Sequence, residues 1–497
     1  MRPPILLAHS YYLRHDPKQV RKMKPYPPLA TLLAAGTLRQ RGHEVRLFDA
    51  MLASGEDEFE QVLDDVRPDV VAIVEDNFNF LTKMCTTRML EAGLTMIRAA
   101  KAHGCRVVVN GSDAADQPAT YRDAGADAII IGEPEQTLAE LMEVWVHDRG
   151  DVQRVRGLAL PARGASGEPL LHTEARPSLQ HLDELPFPAW DLVDASRYRA
   201  AWLEAHGRLS WNMVTTRGCP YGCNWCAKPV FGRTYAQRSP GNVADELHSL
   251  RERVGPGHVW FADDIFGLTP RWMESFADAV HARGAATPFM IQSRVNLMTP
   301  PAVAALARAG CEEVWMGVES GSQQILDAMD KGSTVEQARA ATRLLKAQGI
   351  RACWFIQLGY PGEGWSEILL TRDVVRDERP DDIGVSVAYP LPGTEFYARV
   401  EEQLSAERHW RTSEDLAMLF QGTYATPFYR TIRDLLHEEA SLDPGADRRA
   451  LDDRWRELER LEPQSRSAAP TTIGSSSAPL LPIRRSAKVG GGAERTH

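Results

Sequence analysis

Residues 219–226 read Cys219-Pro220-Tyr221-Gly222-Cys223-Asn224-Trp225-Cys226, which places three thiols on one short loop after a predicted strand. The spacing is Cys-x3-Cys-x2-Cys. Three thiolates on a tight loop can hold a [4Fe–4S] cluster and leave its fourth iron open to a small molecule. A structural zinc site would need a fourth ligand nearby, usually from a second Cys or His pair. No such pair follows at finger-like spacing, so the motif favours an open-iron cluster over a partial zinc site or three unrelated cysteines.

The segment Thr215-Thr216-Arg217-Gly218 leads into these cysteines, and Trp225 precedes the third of them. Together they resemble the cluster loop of the radical S-adenosylmethionine (SAM) superfamily. The resemblance implies that Cys219, Cys223 and Cys226 hold a [4Fe–4S] cluster whose open iron binds SAM. It also implies that an electron, from a donor such as flavodoxin or ferredoxin, cleaves SAM to methionine and a 5′-deoxyadenosyl radical. The spacing alone supports only the open-iron cluster.

Composition sets the class of protein. The chain has 497 residues, of which 43% are hydrophobic and 25% charged, and this suits a globular protein of about three domains. The net charge of -10 and the lack of a long basic block disfavour a nucleic-acid substrate. No apolar run is long enough to span a bilayer, and the first residues are a poor match to a signal peptide. Seven cysteines with one tight group indicate a reducing compartment, so we expect a cytoplasmic protein.

Residues 1–150 alternate short β-branched runs with amphipathic helical patterns. The predicted strands are 5–8, 45–48, 70–74, 106–109 and 128–131. This alternation predicts a Rossmann-like α/β domain, with a parallel sheet covered by helices on both faces and a ligand crevice at the carboxyl ends of the strands. Gly-x-Gly-x-x-Gly does not follow the first strand, so a dinucleotide site is unsupported.

Tyr26-Pro27-Pro28-Leu29 precedes a predicted helix, Asn110-Gly111 follows one predicted strand, and Gly132-Glu133-Pro134-Glu135 follows another. Together these three elements resemble a cobalamin-binding domain of the kind found before radical SAM cores. The resemblance implies that the residues near cobalamin are Pro28, Leu29, Asn110, Gly111, Gly132, Glu133 and Glu135. Two departures are present. First, the Asp-x-His-x-x-Gly motif, whose His ligates cobalt in many cobalamin-binding domains, is absent. His15 lies in the corresponding loop but has other neighbours. Second, Asn110-Gly111-Ser112 stands where related chains carry two glycines. A degenerate domain that no longer binds cobalamin is the alternative.

Residues 206–400 repeat a strand-then-helix pattern six times. The predicted strands are 211–216, 258–262, 289–293, 314–319, 352–358 and 383–388. Six repeats predict a partial (β/α)6 TIM-type barrel, and polar residues concentrate just after the strands, where barrel active sites form. The whole chain is thus predicted to be α/β.

Candidate SAM ligands follow these strands. The resemblance implies SAM-binding roles for Trp225, Asp264, Ser293, Arg294 and Glu319. Glu319 lies in Gly317-Val318-Glu319-Ser320-Gly321, which closely resembles the family motif. Asp264 could instead cap a helix, as Asp often does, and Arg294 could instead form a salt bridge at the barrel rim.

The remaining segments connect and close the two domains. Residues 151–205 are rich in Gly and Pro, which predicts a linker and strap with a hairpin around 158–171. Residues 401–463 show helical spacing and predict a small cap. Residues 464–497 are rich in Ser, Ala, Pro and Gly, which is typical of disorder.

The resemblance implies a cobalamin-dependent, class B-like radical SAM enzyme. Such an enzyme methylates an unactivated carbon of a small-molecule or lipid substrate through a 5′-deoxyadenosyl radical and methylcobalamin. An oxidoreductase or cyclase without net methyl transfer would use the same cofactors. A methylthiotransferase would bring three more cysteines in the N-terminal domain, whereas only Cys85 and Cys105 precede the motif. A non-enzymatic iron–sulfur or zinc protein is the remaining alternative.

Overall fold

The computed structural model describes residues 3–162, 169–226, 230–232, 234–405, 409–443 and 445–467. Residues 468–497, most of the tail expected to be disordered, lie outside this set. The last helix continues to Ser465 and so includes the first two residues of the expected tail. Within the described ranges, no helix is both long enough and apolar enough to cross a membrane.

The N-terminal domain is built on a seven-stranded sheet with the order β2-β1-β3-β4-β5-β6-β7. Its strands are β1 (Ile5–Ala8), β2 (Val45–Phe48), β3 (Val70–Val74), β4 (Arg106–Asn110), β5 (Ala128–Ile130), β6 (Leu158–Pro161) and β7 (Leu170–His172). The first five strands are parallel, as predicted. The hairpin expected in the linker forms β6 and β7, and it extends the sheet edge antiparallel.

Helices cover both faces of this sheet. They are α1 (Pro17–Lys22), α2 (Leu29–Gln40), α3 (Glu56–Val66), α4 (Phe80–Met84), α5 (Thr87–Ala102), α6 (Ser112–Asp116), α7 (Pro118–Asp123) and α8 (Pro134–Trp145). All five residues of β3 are buried. Ile73 packs in one apolar cluster and its neighbours Ala72 and Val74 pack in another, because successive side chains of a strand point to opposite faces.

The second domain is a six-stranded parallel sheet with the order β15-β14-β13-β12-β11-β8, which confirms the partial barrel. Its strands are β8 (Ser210–Met213), β11 (His258–Phe261), β12 (Phe289–Ser293), β13 (Cys311–Glu319), β14 (Arg351–Leu358) and β15 (Asp382–Val387). A separate antiparallel ribbon joins β9 (Thr216–Arg217) to β10 (Ala236–Gln237).

The remaining helices surround the barrel and close its end. They are α9 (Ala195–His206), α10 (Pro240–Arg253), α11 (Pro270–Ala282), α12 (Pro300–Ala309), α13 (Gln323–Ala328), α14 (Val335–Ala347), α15 (Trp365–Glu378), α16 (Glu395–Val400), α17 (Thr426–Ser441) and α18 (Arg449–Ser465). Ser239 and Thr269 cap α10 and α11, each followed by Pro, which suits a first helical position. Helix α17 packs on β15 and α15, and α18 packs on α17, so the C-terminal helices form the expected cap.

The two domains share one apolar core. Tyr26, before α2, packs 4.8 Å from the Trp260 ring of β11 and 5.2 Å from the Trp202 ring of α9. The proline-rich strap also joins them, since the Ala189 amide donates to Leu32 of α2 and the Ser239 amide donates to Asp183. The carboxyl ends of the N-terminal strands therefore lie against the barrel domain.

Candidate functional site

The loop that carries the three cysteines is held at its base by the β9–β10 ribbon. Gly218 has a φ of +76°, and a Cβ there would meet the Thr234 carbonyl oxygen at 2.0 Å. Only glycine fits so close a backbone approach. Cys219 and Cys223 are buried and Cys226 is half-buried. Three thiols held together on so short a loop fit the ligand set of a [4Fe–4S] cluster with one open iron.

Asn224, between the second and third cysteines, fixes the far side of the loop. Its side chain is buried, and its amide donates to the Ala328 carbonyl at 2.8 Å and to Asp330 at 2.9 Å. The Tyr360 hydroxyl donates to its Oδ1 at 2.8 Å. Its backbone also bonds Met329 and Phe396. One residue thus ties the cluster loop to α13, to the loop after β14 and to α16.

Arg294, at the end of β12, lies beside the cluster loop. Its Nη1 donates to the Cys223 Sγ at 3.3 Å, and its guanidinium lies 3.9 Å from the Tyr221 ring centre. Its Nη2 donates to the Lys331 carbonyl. Hydrogen bonds to cysteine sulfurs are one means by which a protein tunes an iron–sulfur cluster, so this contact fits a cluster ligand. These contacts also exclude an exposed salt bridge at the barrel rim, while a SAM-binding role for Arg294 stays a prediction.

Glu319, at the end of β13, forms a buried ion pair with Lys331. Glu319 Oε1 lies 2.6 Å from Lys331 Nζ, and both side chains are 6% exposed. Glu319 has a φ of +65°, a conformation that costs about 1–3 kcal/mol for a residue other than glycine and that clusters at ligand sites. The pair lies over Gly317, where a Cβ would come within 2.6 Å of both charged groups. The Gly-x-Glu spacing therefore has a steric reason.

Sequence reasoning missed Lys331. Its amine lies 6.0 Å from the centre of the Trp225 ring as well as beside Glu319. A lysine between Asp330 and Gly332 in a turn has no local pattern that distinguishes it from an ordinary surface lysine. Its burial arises only because α13 folds back against the cluster loop.

The other predicted SAM ligands divide into two groups. Ser293 Oγ and Trp225 Nε1 are buried with no hydrogen-bond partner in the described part of the chain, which fits a site for a polar ligand. Asp264 is instead paired with Lys83 of the N-terminal domain at 2.6 Å. The preceding Asp263 accepts bonds from the Thr215 and Thr216 amides, and burial raises its pKa to about 6.

The predicted cobalamin residues lie at the carboxyl edge of the N-terminal sheet, towards the barrel domain. The Asn110 amide donates to the Ile130 and Gly132 carbonyls at 3.1 and 2.9 Å, so it joins β4 to the loop after β5. Gly111 packs against Glu75. The Tyr11 hydroxyl in the loop after β1 is buried with no hydrogen-bond partner among the described residues, which fits a ligand at this edge.

Pro28 immediately precedes α2 and Leu29 is its first residue, at the junction of the domains. The amide of Asn212 in β8 donates to the Pro27 carbonyl at 2.9 Å. Asp76 at the end of β3 accepts from the Ala30 amide, and burial raises its pKa to about 6. Leu29 itself is fully buried in the shared core.

Glu133 and Glu135, which the resemblance places near cobalamin, form buried ion pairs with the barrel domain, and their role at cobalamin stays a prediction. Both carboxylates bind Arg217, at 2.8 and 2.5 Å, and all three side chains are at most 6% exposed. The Arg217 guanidinium also lies 5.6 and 5.5 Å from the rings of Phe78 and Phe231. Burial lowers the pKa of Arg217, but the two carboxylates raise it overall, so it stays charged. The residue two positions before the first cluster cysteine is thus bound by the N-terminal domain.

Two protein-family models match the two domains. The model described as B12 binding domain matches residues 24–142, and the one described as Radical SAM superfamily matches residues 213–375. The chain is 27% identical to an uncharacterized methyltransferase of Pyrococcus horikoshii, over 81% of this chain and 88% of the relative. It is 25% identical to the anaerobic magnesium-protoporphyrin IX monomethyl ester cyclase of Rubrivivax gelatinosus, over 76% of this chain and 67% of that one.

A solved structure shares the fold. The radical SAM methyltransferase TsrM from Kitasatospora setae, determined with cobalamin and a [4Fe–4S] cluster bound, superposes with a TM-score of 0.66 at 20% identity. The match covers 81% of this chain and 75% of TsrM. The two matched domains bring together a [4Fe–4S] cluster, SAM and cobalamin as cofactors. The chain belongs to the family of radical SAM enzymes that carry a cobalamin (B12)-binding domain.

Proposed function

We propose that the enzyme methylates an unactivated carbon of a small-molecule or lipid substrate. The observation that carries this proposal is the similarity to the Pyrococcus horikoshii methyltransferase, over 81% of this chain and 88% of that one. The buried contact of Arg217, at the base of the cluster loop, with Glu133 and Glu135 of the B12-binding domain supports it. Bound together, the three cofactors supply a hydrogen-abstracting radical and a methyl donor. A rigid contact between the domains would hold these two reactivities at one substrate carbon.

The protein's own residues have defined tasks in this proposal. Cys219, Cys223 and Cys226 hold the cluster, and Arg294 donates a hydrogen bond to the Cys223 sulfur. Glu319, held in place by its ion pair with Lys331, would offer its carboxylate to SAM. Burial of these groups excludes water, which protects a radical from side reactions. A flavodoxin or ferredoxin would supply the electron.

A cyclase or oxidoreductase without net methyl transfer is the second candidate. The similarity to the Rubrivivax cyclase, over three quarters of this chain, favours it. The cofactor-binding residues serve both reactions equally, so only the product distinguishes them.

Isotope transfer in cells tests the proposal even while the substrate is unidentified. Cells that make either the full-length enzyme or Cys223→Ala are grown anaerobically with trideuteromethyl-methionine, and their small molecules and lipids are compared by mass spectrometry. We expect a metabolite that carries the intact trideuteromethyl group only with the unchanged enzyme. Cys311→Ala is the matched control, because Cys311 is a buried cysteine outside the cluster loop.

The other outcomes are equally informative. A metabolite that differs only in hydrogen or oxygen content, without the label, would replace methyl transfer by cyclisation or oxidation. Identical metabolites from the enzyme and from Cys223→Ala would contradict any cluster-dependent activity in these cells.

A further inference from the structure

Two histidines and one glutamate meet at the opposite end of the N-terminal domain from the cofactor edge. His43 is buried in the turn between α2 and β2. Glu143 lies in the last turn of α8, and His147 follows one turn later. One ligand atom of each residue lies within 4.8 Å of the other two. The His43 and His147 rings are 5.2 Å apart, centre to centre.

We propose that His43, Glu143 and His147 form a binding site for a divalent cation such as Zn²⁺. Two imidazole nitrogens and one carboxylate oxygen are ligands that Zn²⁺ prefers, with water completing the coordination. Ligands about 2 Å from one ion lie about 3–4 Å apart. Small rotations of the three side chains therefore suffice to close the site.

The surroundings are compatible with an added positive charge. Arg149 is the cation paired with Glu143, at 3.4 Å, and its side chain is 74% exposed. An exposed pair of that length stabilises the fold little, so an ion can compete with it.

The ion would tie two packed elements together. His43 precedes β2, and the other two ligands lie at the end of α8, which packs against α2. Helix α8 begins just after Glu133 and contains Glu135, which bind Arg217. An ion at its far end would therefore fix the helix whose first turn binds Arg217, at the base of the cluster loop. This inference does not depend on the methyl-transfer proposal.

Metal counting on the reconstituted full-length protein tests the site. Zn²⁺ is added after the cluster has been reconstituted, so that the cluster cysteines are already occupied. Unbound metal is then removed, and the amounts of zinc and iron per chain are measured. We expect one zinc per chain in the unchanged protein and in His172→Ala, an exposed histidine of β7. His147→Ala and Glu143→Gln should bind zinc at least about tenfold more weakly, with unchanged iron.

Two results would overturn the proposal. One is that the unchanged protein retains no zinc. The other is that His147→Ala and Glu143→Gln both retain as much zinc as the unchanged protein. If His147→Ala also loses iron, which would indicate damage to the fold, Glu143→Gln decides alone, because it keeps the size of the side chain.

Discussion

At the scale of single residues, Glu363 has an unusual environment. It lies in the loop after β14, is 1% exposed, and its Oε1 has no hydrogen-bond partner within the described residues. The Gly359 amide donates to its other oxygen. Burial, partly offset by this bond, raises the pKa of Glu363 to about 8. The carboxyl group is therefore protonated in the folded protein at a pH where an exposed glutamate would be charged.

The raised pKa predicts a pH-dependent stability. In the unfolded chain the Glu363 pKa returns to about 4.3. The folded state therefore holds the extra proton, and the stability this contributes is full below about pH 4 and is lost as the pH rises through about 8. A glutamine at this position does not titrate, so Glu363→Gln does not lose this stability. The difference in unfolding temperature, variant minus unchanged protein, should therefore be at least about 2 °C larger at about pH 8 than at about pH 6.

Thermal unfolding at the two pH values measures this effect. Glu336→Gln, at an exposed position of α14, is the control and should show no such change. If Glu363→Gln and the unchanged protein keep a constant difference in unfolding temperature, the carboxyl group is not protonated in the folded state.

At the scale of elements, the cluster loop depends on its neighbours for its shape. It has no regular structure of its own, and residues 218–226 lie between the ribbon at their base and the Asn224 contacts at their far side. Ligands on a loop need such support, since sites on unsupported loops are less well defined. The barrel strands and α13 provide it.

Removal of the Asn224 side chain should therefore release the loop. Asn224→Ala removes three side-chain hydrogen bonds, to the Ala328 carbonyl, the Asp330 carboxylate and the Tyr360 hydroxyl, each of which contributes about 0.5–1.5 kcal/mol. We expect the variant to retain less than about half of the cluster iron after anaerobic reconstitution. Tyr360→Phe removes only one of the three side-chain bonds and serves as the graded control. Full iron retention by Asn224→Ala would contradict a supporting role for this residue.

At the scale of the whole molecule, a buried charge network links the two domains. Arg217 lies in the ribbon of the barrel domain, whereas Glu133 and Glu135 belong to the N-terminal domain. A second pair across the junction, between Lys83 and Asp264, reinforces it. Buried pairs add little net stability compared with apolar groups, but they penalise any arrangement that separates the charges. They are therefore suited to hold the domains in one orientation.

Loss of Arg217 should destabilise the junction. Arg217→Met leaves two buried carboxylates unpaired, at a cost of about 3–5 kcal/mol, and we expect a lower unfolding temperature and weaker corrinoid retention after desalting. Arg208→Met is the matched control, because the Arg208–Glu312 pair of 2.7 Å is about half exposed. Its loss should cost at most about 1 kcal/mol.

A triple variant separates the charge from the contact. Combining Arg217→Met with Glu133→Gln and Glu135→Gln removes the unpaired charges, so stability should recover. If Arg217→Met alone matches the unchanged protein in both measurements, the network does not hold the domains together.

Much of the fold could be predicted because its signal is local. The strand predicted over 70–74 coincides with β3, since runs of β-branched residues specify a buried strand without reference to the rest of the chain. Helix α9 was not predicted. Its Tyr198 and Trp202 are buried against Asp49 and the Pro25 carbonyl of the other domain, so much of its apolar face depends on a partner distant in sequence.

The sequence by itself determined the order of the domains and the family, because each depends on residue types at short spacing. The same kind of signal predicts the cluster ligands. Only the tertiary structure decided what the charged residues contact. It paired Glu133 and Glu135 with Arg217, more than eighty residues away, and it buried Lys331 beside Glu319. The physical reason is that a charged side chain must find a partner when it is buried, and the partner available depends on which segments the fold brings together.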